Sequence, residues 1–289
     1  MKGLSVSAVI PAFNEGRAIA EVVSGVREAL GRVAGEAEVL VVDDGSTDDT
    51  GEAAGRAGAT VLRHPVNRGY GQALRTGVGA ARHDWVLMID ADGSYPTSEI
   101  DRLFEGAPEC DLVIGTRTGV HFWGSPMAAF LRGVYLGIAG FVVGEKVPDA
   151  NSGLRLVRRG LAAQSGPVEC LGFSYSTTMT LSFLKAGRFV KFIPIEFRAR
   201  VGQSKVRKVR DILRTLQLMT QILIAYNPLK LFVALCASFA AAAAVMAGVF
   251  LCRGGWPWLA AAGLSAMAAL ECFLAGCLLD AIRMRGRGA

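Results

Sequence analysis

Acidic and polar side chains form three short clusters, each directly after a run of residues typical of a β-strand. The clusters are residues 11–15 (PAFNE), 43–47 (DDGST) and 90–93 (DADG). Because the carboxyl ends of parallel strands meet at one edge of a sheet, we expect the clusters to surround one crevice. Carboxylates that lie this close repel each other unless a cation lies between them. Oxygen ligands favour Mg2+ or Mn2+, and such an ion would bridge the protein to a phosphorylated ligand.

Helix caps and turns are the alternative interpretation of these clusters, since Asp, Asn and Ser are common at both. This alternative is favoured for Asp48 and Asp49, which open a helical stretch. Asp90 and Asp92 are interpreted as functional. The histidines at 64, 83 and 121 are given no catalytic role.

Strand-like and helix-like runs alternate through the first 200 residues and would position the clusters. Strands are predicted over 5–10, 38–42, 60–63, 85–89 and 112–115, and helices over 19–30, 47–57, 71–81 and 100–106. This alternation predicts an α/β fold with a mostly parallel, doubly wound sheet.

The 289-residue chain is too apolar to be wholly soluble and too charged to be wholly membrane-embedded. Hydrophobic residues make up 52% of it and charged residues 19%, against about 45–50% and about 25% in soluble domains. The excess lies in two C-terminal runs, 229–252 and 256–279, each long enough to cross a bilayer as a helix. A buried hairpin in a soluble protein is the alternative. Disorder is excluded by composition, and the six cysteines are interpreted as reduced thiols.

Basic residues flank the two runs and set their orientation. They are frequent over 205–230 and 283–287, and only Arg253 lies in the connection. The positive-inside rule therefore predicts a multi-pass protein of the inner or plasma membrane, with both termini and the globular domain in the cytoplasm. No signal peptide is predicted, because the first apolar stretch is short and runs into Pro11.

The predicted organisation has three parts: a globular domain over 1–203, a juxtamembrane helix over 204–227 and a transmembrane hairpin over 228–289. Apolar residues of the middle part recur every three or four positions, which predicts an amphipathic helix in the headgroup plane. An ordinary helix packed on the globular domain is the alternative.

Seven motifs carry a resemblance that covers nearly the whole chain. In order they are PAFNE at 11–15, VVDDGSTDDT at 41–50, NRGYGQALRTG at 67–77, DADGSYP at 90–96, GTR at 115–117, DANSGLR at 149–155 and RVGQSK at 200–205. The chain resembles family 2 glycosyltransferases with the GT-A fold. Within them it is similar to the polyprenyl-phosphate sugar synthases of the dolichol-phosphate mannose synthase type.

The resemblance implies a nucleotide-sugar donor, a polyprenyl-phosphate acceptor and an inverting transfer of one sugar. It assigns the base and ribose to Pro11, Ala12, Asn14, Glu15 and Asp43, with Asp44 and residues 69–72 near the nucleotide. Mg2+ or Mn2+ would be held by Asp90, Asp92 and Ser94, where Ser94 replaces a glutamine common in relatives. The sugar and pyrophosphate would contact Asp149, Ser152, Arg155, Arg200, Ser204 and Lys205.

The acceptor phosphate is assigned to Arg117 and Arg132, because guanidinium groups match phosphate oxygens. Asp92, Arg117 and Lys205 are the implied catalytic residues. A hydroxyl that follows the second arginine in relatives is not evident here, where Leu136 and Gly137 stand. The apolar stretch 127–143 is interpreted as a helix close to the bilayer, or alternatively as a core helix.

Three other functions are weighed against this one. A processive polysaccharide synthase would carry a QxxRW-type motif and more spans, whereas Gln203 is followed by SKVR. A non-catalytic membrane scaffold that binds sugar nucleotides would not need the acidic and basic residues that are present. Nucleic acid is not an expected partner, because anionic lipid explains the basic residues better. Small residues in the spans predict a homo-oligomer, and the base and the sugar stay open.

Overall fold

The computed structural model describes residues 3–162, 175–199, 217 and 219–286. The chain divides into two compact units, Met1–Met219 and Thr220–Ala289.

The first unit is built on one mixed sheet, which has seven strands among the described residues. Their order across the sheet is β3-β2-β1-β4-β6-β5-β7. Only β6 runs antiparallel to its neighbours, so the sheet is mostly parallel, which confirms the predicted α/β class. The strands are β1 (Ser5–Ala12), β2 (Glu36–Asp43), β3 (Thr60–Arg63), β4 (Trp85–Met88), β5 (Leu112–Thr118), β6 (Arg155–Arg158) and β7 (Val190–Glu196).

Helices cover both faces of the sheet. They are α1 (Ile19–Val33), α2 (Thr50–Arg56), α3 (Tyr70–Ala80), α4 (Ile100–Glu105), α5 (Val120–Trp123), α6 (Pro126–Val143), α7 (Arg159–Ala162) and α8 (Tyr175–Lys185). Side chains of β1 alternate between two buried cores, with Val6 and Ile10 in one and Val9 in the other. The sheet is therefore doubly wound, and its functional groups must lie at its ends.

Parallel pairing brings the ends of β1, β2 and β4 together. Ala12 is in register with Asp43, and Val9 with Met88. The Asp44 N–H donates to Ala12 O at 2.8 Å, which extends this alignment by one residue. The three polar clusters therefore follow neighbouring strands at the same edge of the sheet.

The second unit contains two long apolar helices, α9 (Pro228–Arg253) and α10 (Trp256–Gly286). Asn227 caps α9 by accepting the Lys230 N–H at 3.1 Å, and Gly254 and Gly255 make the connection with positive φ. Gly276 lies against Phe232, where a Cβ would be 2.6 Å from the phenylalanine Cβ. A glycine here lets the two helices approach closely.

Three helices are long and apolar enough to cross a membrane among the residues that are described. They are Pro126–Val143, Pro228–Arg253 and Trp256–Arg283. The last two contain the predicted runs. Helix α10 extends past residue 279 to Gly286 and includes an Asp280–Arg283 ion pair at 3.0 Å. The predicted juxtamembrane helix lies largely outside the described residues, which are helical over 219–226.

Candidate active site

The first two polar clusters are joined by hydrogen bonds between their loops. The Asn14 N–H donates to Ser46 Oγ at 2.9 Å, and Asn14 Oδ1 accepts the Thr47 N–H at 2.8 Å. Asn14 has a φ of 52°, a left-handed conformation that Asn tolerates better than most residues. Asp43 is 1% exposed and accepts the Ser46 N–H at 2.9 Å. Pro11 and Ala12 end β1 beside these loops.

Neighbouring side chains in these loops also bond to backbone. The Glu15 N–H donates to Thr50 Oγ1 at 2.8 Å. Asp48 accepts the Thr50 N–H at 3.1 Å and the Gly16 N–H at 3.2 Å. These bonds make Asp48 a turn residue at the start of α2.

Asp44 uses both carboxylate oxygens to hold the loop before α3. Oδ1 accepts the Arg68 N–H at 2.9 Å and lies 2.6 Å from His64 Nδ1, and Oδ2 accepts the Gly69 N–H at 2.8 Å. Gly69 has a φ of 95°, which only glycine adopts at little cost. The carboxylate thus determines where α3 begins and where its first residue, Tyr70, is placed.

Tyr70 connects this loop to the third cluster. Its hydroxyl donates to Asp90 Oδ1 at 2.8 Å. Burial, together with the nearby Asp90 carboxylate, raises the pKa of Tyr70 well above its usual value, so the phenol stays protonated as a donor. Two consecutive contacts therefore link Asp44 to the position of Asp90.

Gly153 and Tyr95 lie on the other side of Asp90. A Cβ on Gly153 would be 2.3 Å from Asp90 Oδ2, so a glycine is required for the carboxylate to lie against the backbone. The Gly153 N–H donates to the Tyr95 hydroxyl at 2.6 Å, and burial raises the pKa of Tyr95 to about 12. These contacts confine the Asp90 carboxylate to a narrow space.

Asp92 is oriented by the residue two positions further on. Its Oδ1 accepts both the N–H and the hydroxyl of Ser94, at 3.0 and 2.5 Å. Both residues are buried, at 6% and 2% exposed. Among the described residues, no group of three His, Cys, Asp or Glu side chains could hold a metal ion. A cation at Asp90 and Asp92 would therefore take further ligands from a bound substrate.

Arg155 is a fully buried cation at the start of β6. Its Nε donates to Ser152 O at 2.7 Å and Nη2 to Ala150 O at 3.0 Å. Its Nη1 is buried without a hydrogen-bond partner among the residues described. Burial lowers the pKa of Arg155. Such a donor is costly to leave unpaired and marks a place where a ligand oxygen would be favoured.

Arg117 and Arg132 come from β5 and α6 and meet around Phe122. Arg117 forms a two-pronged ion pair with Asp149, with Nε–Oδ2 at 2.8 Å and Nη2–Oδ1 at 2.9 Å. Burial opposes the guanidinium charge, but the neighbouring Tyr95 and the Asp149 and Asp90 carboxylates together outweigh it, so the pKa of Arg117 is raised. The guanidinium carbons of Arg117 and Arg132 lie 4.9 and 4.4 Å from the Phe122 ring centroid.

The structure thus brings together most of the residues singled out in the sequence. Arg200, Ser204 and Lys205 lie outside the described residues. Tyr70 was expected near the nucleotide only as part of the 69–72 stretch, and Tyr95 and Gly153 were given no role. All three lie inside quoted motifs, but the contacts of Tyr70 and Gly153 with Asp90 are not evident from those motifs. Phe122 lies outside all seven motifs, and no signal in the sequence points to it.

Comparison with known proteins gives the family. The family model for glycosyl transferase family 2 matches residues 7–164, which is more than half of the chain. An uncharacterized protein of Methanocaldococcus jannaschii is 30% identical over 200 residues, which cover 65% of this chain and 79% of the relative. The undecaprenyl-phosphate mannosyltransferase of Micrococcus luteus is 30% identical over 220 residues, which cover 70% and 88%.

Solved structures agree on the fold. Glucosyl-3-phosphoglycerate synthase from Mycobacterium tuberculosis, in complex with Mn2+, UDP and glucosyl-3-phosphoglycerate, superposes with a TM-score of 0.57 at 22% identity. The match covers 77% of this chain and 78% of that one. The likeness confirms the expected GT-A architecture. The family model spans Asp43, Asp90 and Arg117, and the chain belongs to glycosyl transferase family 2 and is a glycosyltransferase.

Proposed function

We propose that this glycosyltransferase moves one sugar from a nucleotide-sugar onto polyprenyl phosphate at a membrane. The acceptor class is inferred from one observation. The guanidinium groups of Arg117 and Arg132 both lie over the ring of Phe122, and Arg132 belongs to an exposed apolar helix. Such a pair suits a phosphate attached to a long apolar chain. The transferase of Micrococcus luteus, whose name includes undecaprenyl phosphate, supports the same acceptor class.

Helix α6 supports an acceptor with an apolar chain. Met127, Phe130, Leu131 and Val134 are 46–67% exposed, although the helix is as apolar as a membrane span. Exposed apolar surface of this extent is costly in water and favourable in lipid. We infer that α6 lies at the bilayer and that the isoprenoid chain runs along it, while α9 and α10 cross the membrane.

The donor is assigned to the edge of the sheet where the parallel strands β1, β2 and β4 end. The base and ribose would contact Pro11, Ala12, Asn14, Glu15 and Asp43. Asp44 would act through the 67–70 loop, because its oxygens already accept backbone N–H groups. The sugar and pyrophosphate would contact Asp149, Ser152 and Arg155, with Arg200, Ser204 and Lys205 closing over them.

A divalent cation fits the donor set of the third cluster. Asp90 and Asp92 supply hard carboxylate oxygens, and Ser94 adds a hydroxyl that is bonded to Asp92. Mg2+ and Mn2+ use few protein carboxylates when substrate phosphates complete the shell, and the Mycobacterium tuberculosis synthase contains Mn2+ with UDP. When bound, the cation would neutralise charge on the leaving nucleoside diphosphate.

The acceptor needs positioning more than it needs a base. A phosphate monoester has a second pKa of about 6, so at neutral pH it is largely a dianion and already nucleophilic. Arg117 and Arg132 would direct one of its oxygens to the anomeric carbon, and the nucleoside diphosphate would leave from the opposite side. Attack in line with the leaving group inverts the anomeric centre. We therefore propose an inverting transfer that requires no general base.

The cellular setting follows from the same assignment. We propose that the enzyme lies in the inner or plasma membrane, which the apolar helices support, and that the catalytic unit is cytoplasmic, which the basic residues flanking those helices favour. A homo-oligomer in the membrane, formed through the small residues of the spans, belongs to the same proposal.

A panel of donors tests this function directly. The full chain in detergent is given UDP- and GDP-sugars with Mg2+ or Mn2+, and nucleoside diphosphate release is measured with and without polyprenyl phosphate. We expect one donor to be consumed only when the lipid is present, because the acceptor completes the reaction. Asp92→Asn should lower the rate by roughly 100-fold or more, since it removes charge where the leaving group is stabilised.

Ser98→Ala is the matched control, because it changes a polar residue of the next turn that no site contact uses. Release without lipid would indicate a different acceptor. If the product carried several sugars on one lipid, a processive synthase would replace the single transfer. Binding of a donor with no release under any condition would favour the scaffold.

A further inference from the structure

Phe122 is in contact with both guanidinium groups of the proposed acceptor site. It lies in α5, between the strand that carries Arg117 and the helix that carries Arg132, and is 3% exposed. The two guanidinium carbons are 4.9 and 4.4 Å from its ring centroid, within the range of a cation–π interaction. One buried ring therefore attracts two like charges that would otherwise repel each other.

The two arginines differ in how their charge is balanced. Arg117 is paired with Asp149, and its guanidinium carbon also lies 5.4 Å from the Phe197 ring centroid. Arg132 has no ion pair with any carboxylate in the described parts of the chain, and its Nη1 is buried there without a hydrogen-bond partner. Burial and the nearby charge of Arg117 lower the pKa of Arg132. The site thus holds one positive charge that the described residues do not neutralise.

An aromatic ring can hold such a charge without neutralising it. A carboxylate in place of Phe122 would pair with Arg132 and compete with an incoming phosphate. A ring attracts the face of the guanidinium and leaves the N–H groups at its edge able to donate. The ring of Phe122 is also fixed by an edge contact with Trp123, at 5.1 Å between centroids.

We propose that Phe122 is a positioning residue that presents Arg117 and Arg132 together to the phosphate of the lipid acceptor. This inference rests on the proposed function and extends it, since it names the side chain that sets the spacing of the two phosphate-binding groups. Phe122 contacts the arginines and not the reacting atoms. Its removal should weaken acceptor binding while the donor site is preserved.

The test compares Phe122→Leu with the wild-type full chain in detergent, using undecaprenyl phosphate as the acceptor. Leucine keeps an apolar side chain but removes the ring, so we expect the acceptor KM to rise roughly tenfold. The donor KM, measured at saturating acceptor, should stay within about twofold of wild type. Phe122→Tyr restores the ring and should return the acceptor KM to near the wild-type value.

Phe104→Leu is the matched control, since Phe104 is equally buried, at 4% exposed, and lies in α4 within the core. Both leucine variants remove a buried ring, so we expect both to lower the melting temperature. Phe104→Leu should leave the acceptor KM unchanged. An unchanged acceptor KM in Phe122→Leu, or an equal rise in acceptor and donor KM, overturns the positioning role alone. If the wild-type chain transfers no sugar to the lipid with any donor, the proposed function fails and this inference fails with it.

Discussion

Replacing Asp149 with alanine should lower the free energy of unfolding of the first unit by about 3–5 kcal/mol, because it leaves a buried charge without its partner. Asp149 is 1% exposed, and it accepts two hydrogen bonds from the Arg117 guanidinium, at 2.8 and 2.9 Å. The Arg117 side chain is only 17% exposed, so water cannot replace the lost carboxylate well. Urea unfolding of the full chain in detergent, followed by tryptophan fluorescence, measures the loss.

The surface pair between Arg32 and Asp101 provides the control. It has the same two-pronged geometry, with both contacts at 3.1 Å, but its side chains are 45% and 38% exposed. Asp101→Ala should therefore cost at most about 1 kcal/mol. Equal losses in the two variants would show that burial does not determine the strength of the Asp149 pair.

Gly153→Ala should strongly weaken metal-dependent nucleotide binding, although it changes no charged residue. The new Cβ would lie 2.3 Å from Oδ2 and 2.5 Å from Cγ of Asp90, a short side chain that Tyr70 also contacts. Asp90 must move, and we expect metal-dependent binding of UDP or GDP to weaken roughly 10- to 100-fold. Calorimetric titration of the nucleoside diphosphate, with and without Mn2+, measures this separately from turnover.

Gly79→Ala is the matched control for this prediction. Gly79 lies in α3, and a Cβ there would meet nothing within 4 Å. Alanine should leave nucleotide binding unchanged and stabilise the helix slightly. Wild-type affinity for the nucleotide and metal in Gly153→Ala would contradict the assignment of Asp90 to the cation.

The strands of the sheet differ in how well the sequence predicts them. β1 to β5 were predicted, because each is a short apolar run followed by turn residues. β6 was not, since Arg155 and Arg158 bound a four-residue strand that reads as polar. β7 was not predicted either, because Pro194 argues against the interior of a sheet. In the described sheet β7 is an edge strand that pairs only with β5, where a proline is tolerated. The antiparallel β6 therefore follows from tertiary pairing and not from local pattern.

The residues of the candidate site also differ in how well the sequence predicts them. Asp43, Asp90 and Asp92 could be selected from the sequence, because carboxylates directly after predicted strands must meet at one edge of a parallel sheet. The contacts that orient Asp90 could not be selected in this way, since Tyr70 and Gly153 approach it within a few ångströms from separate segments of the chain. Asp44 shows the difference most clearly: its position in a motif suggests a ligand contact, whereas its oxygens hold a loop.

The class of the protein can be inferred from residue order: an α/β glycosyltransferase of family 2 with apolar helices after the catalytic unit. Residue order is enough for this, because strand ends, apolar runs and motifs are local features of the chain. The pairing of Arg117 with Asp149, the lack of an ion pair for Arg132 within the described residues and the contact of one phenylalanine with both arginines are known only from the folded structure. Such charge balance depends on which distant groups approach within a few ångströms in a buried place, where each missing partner is costly.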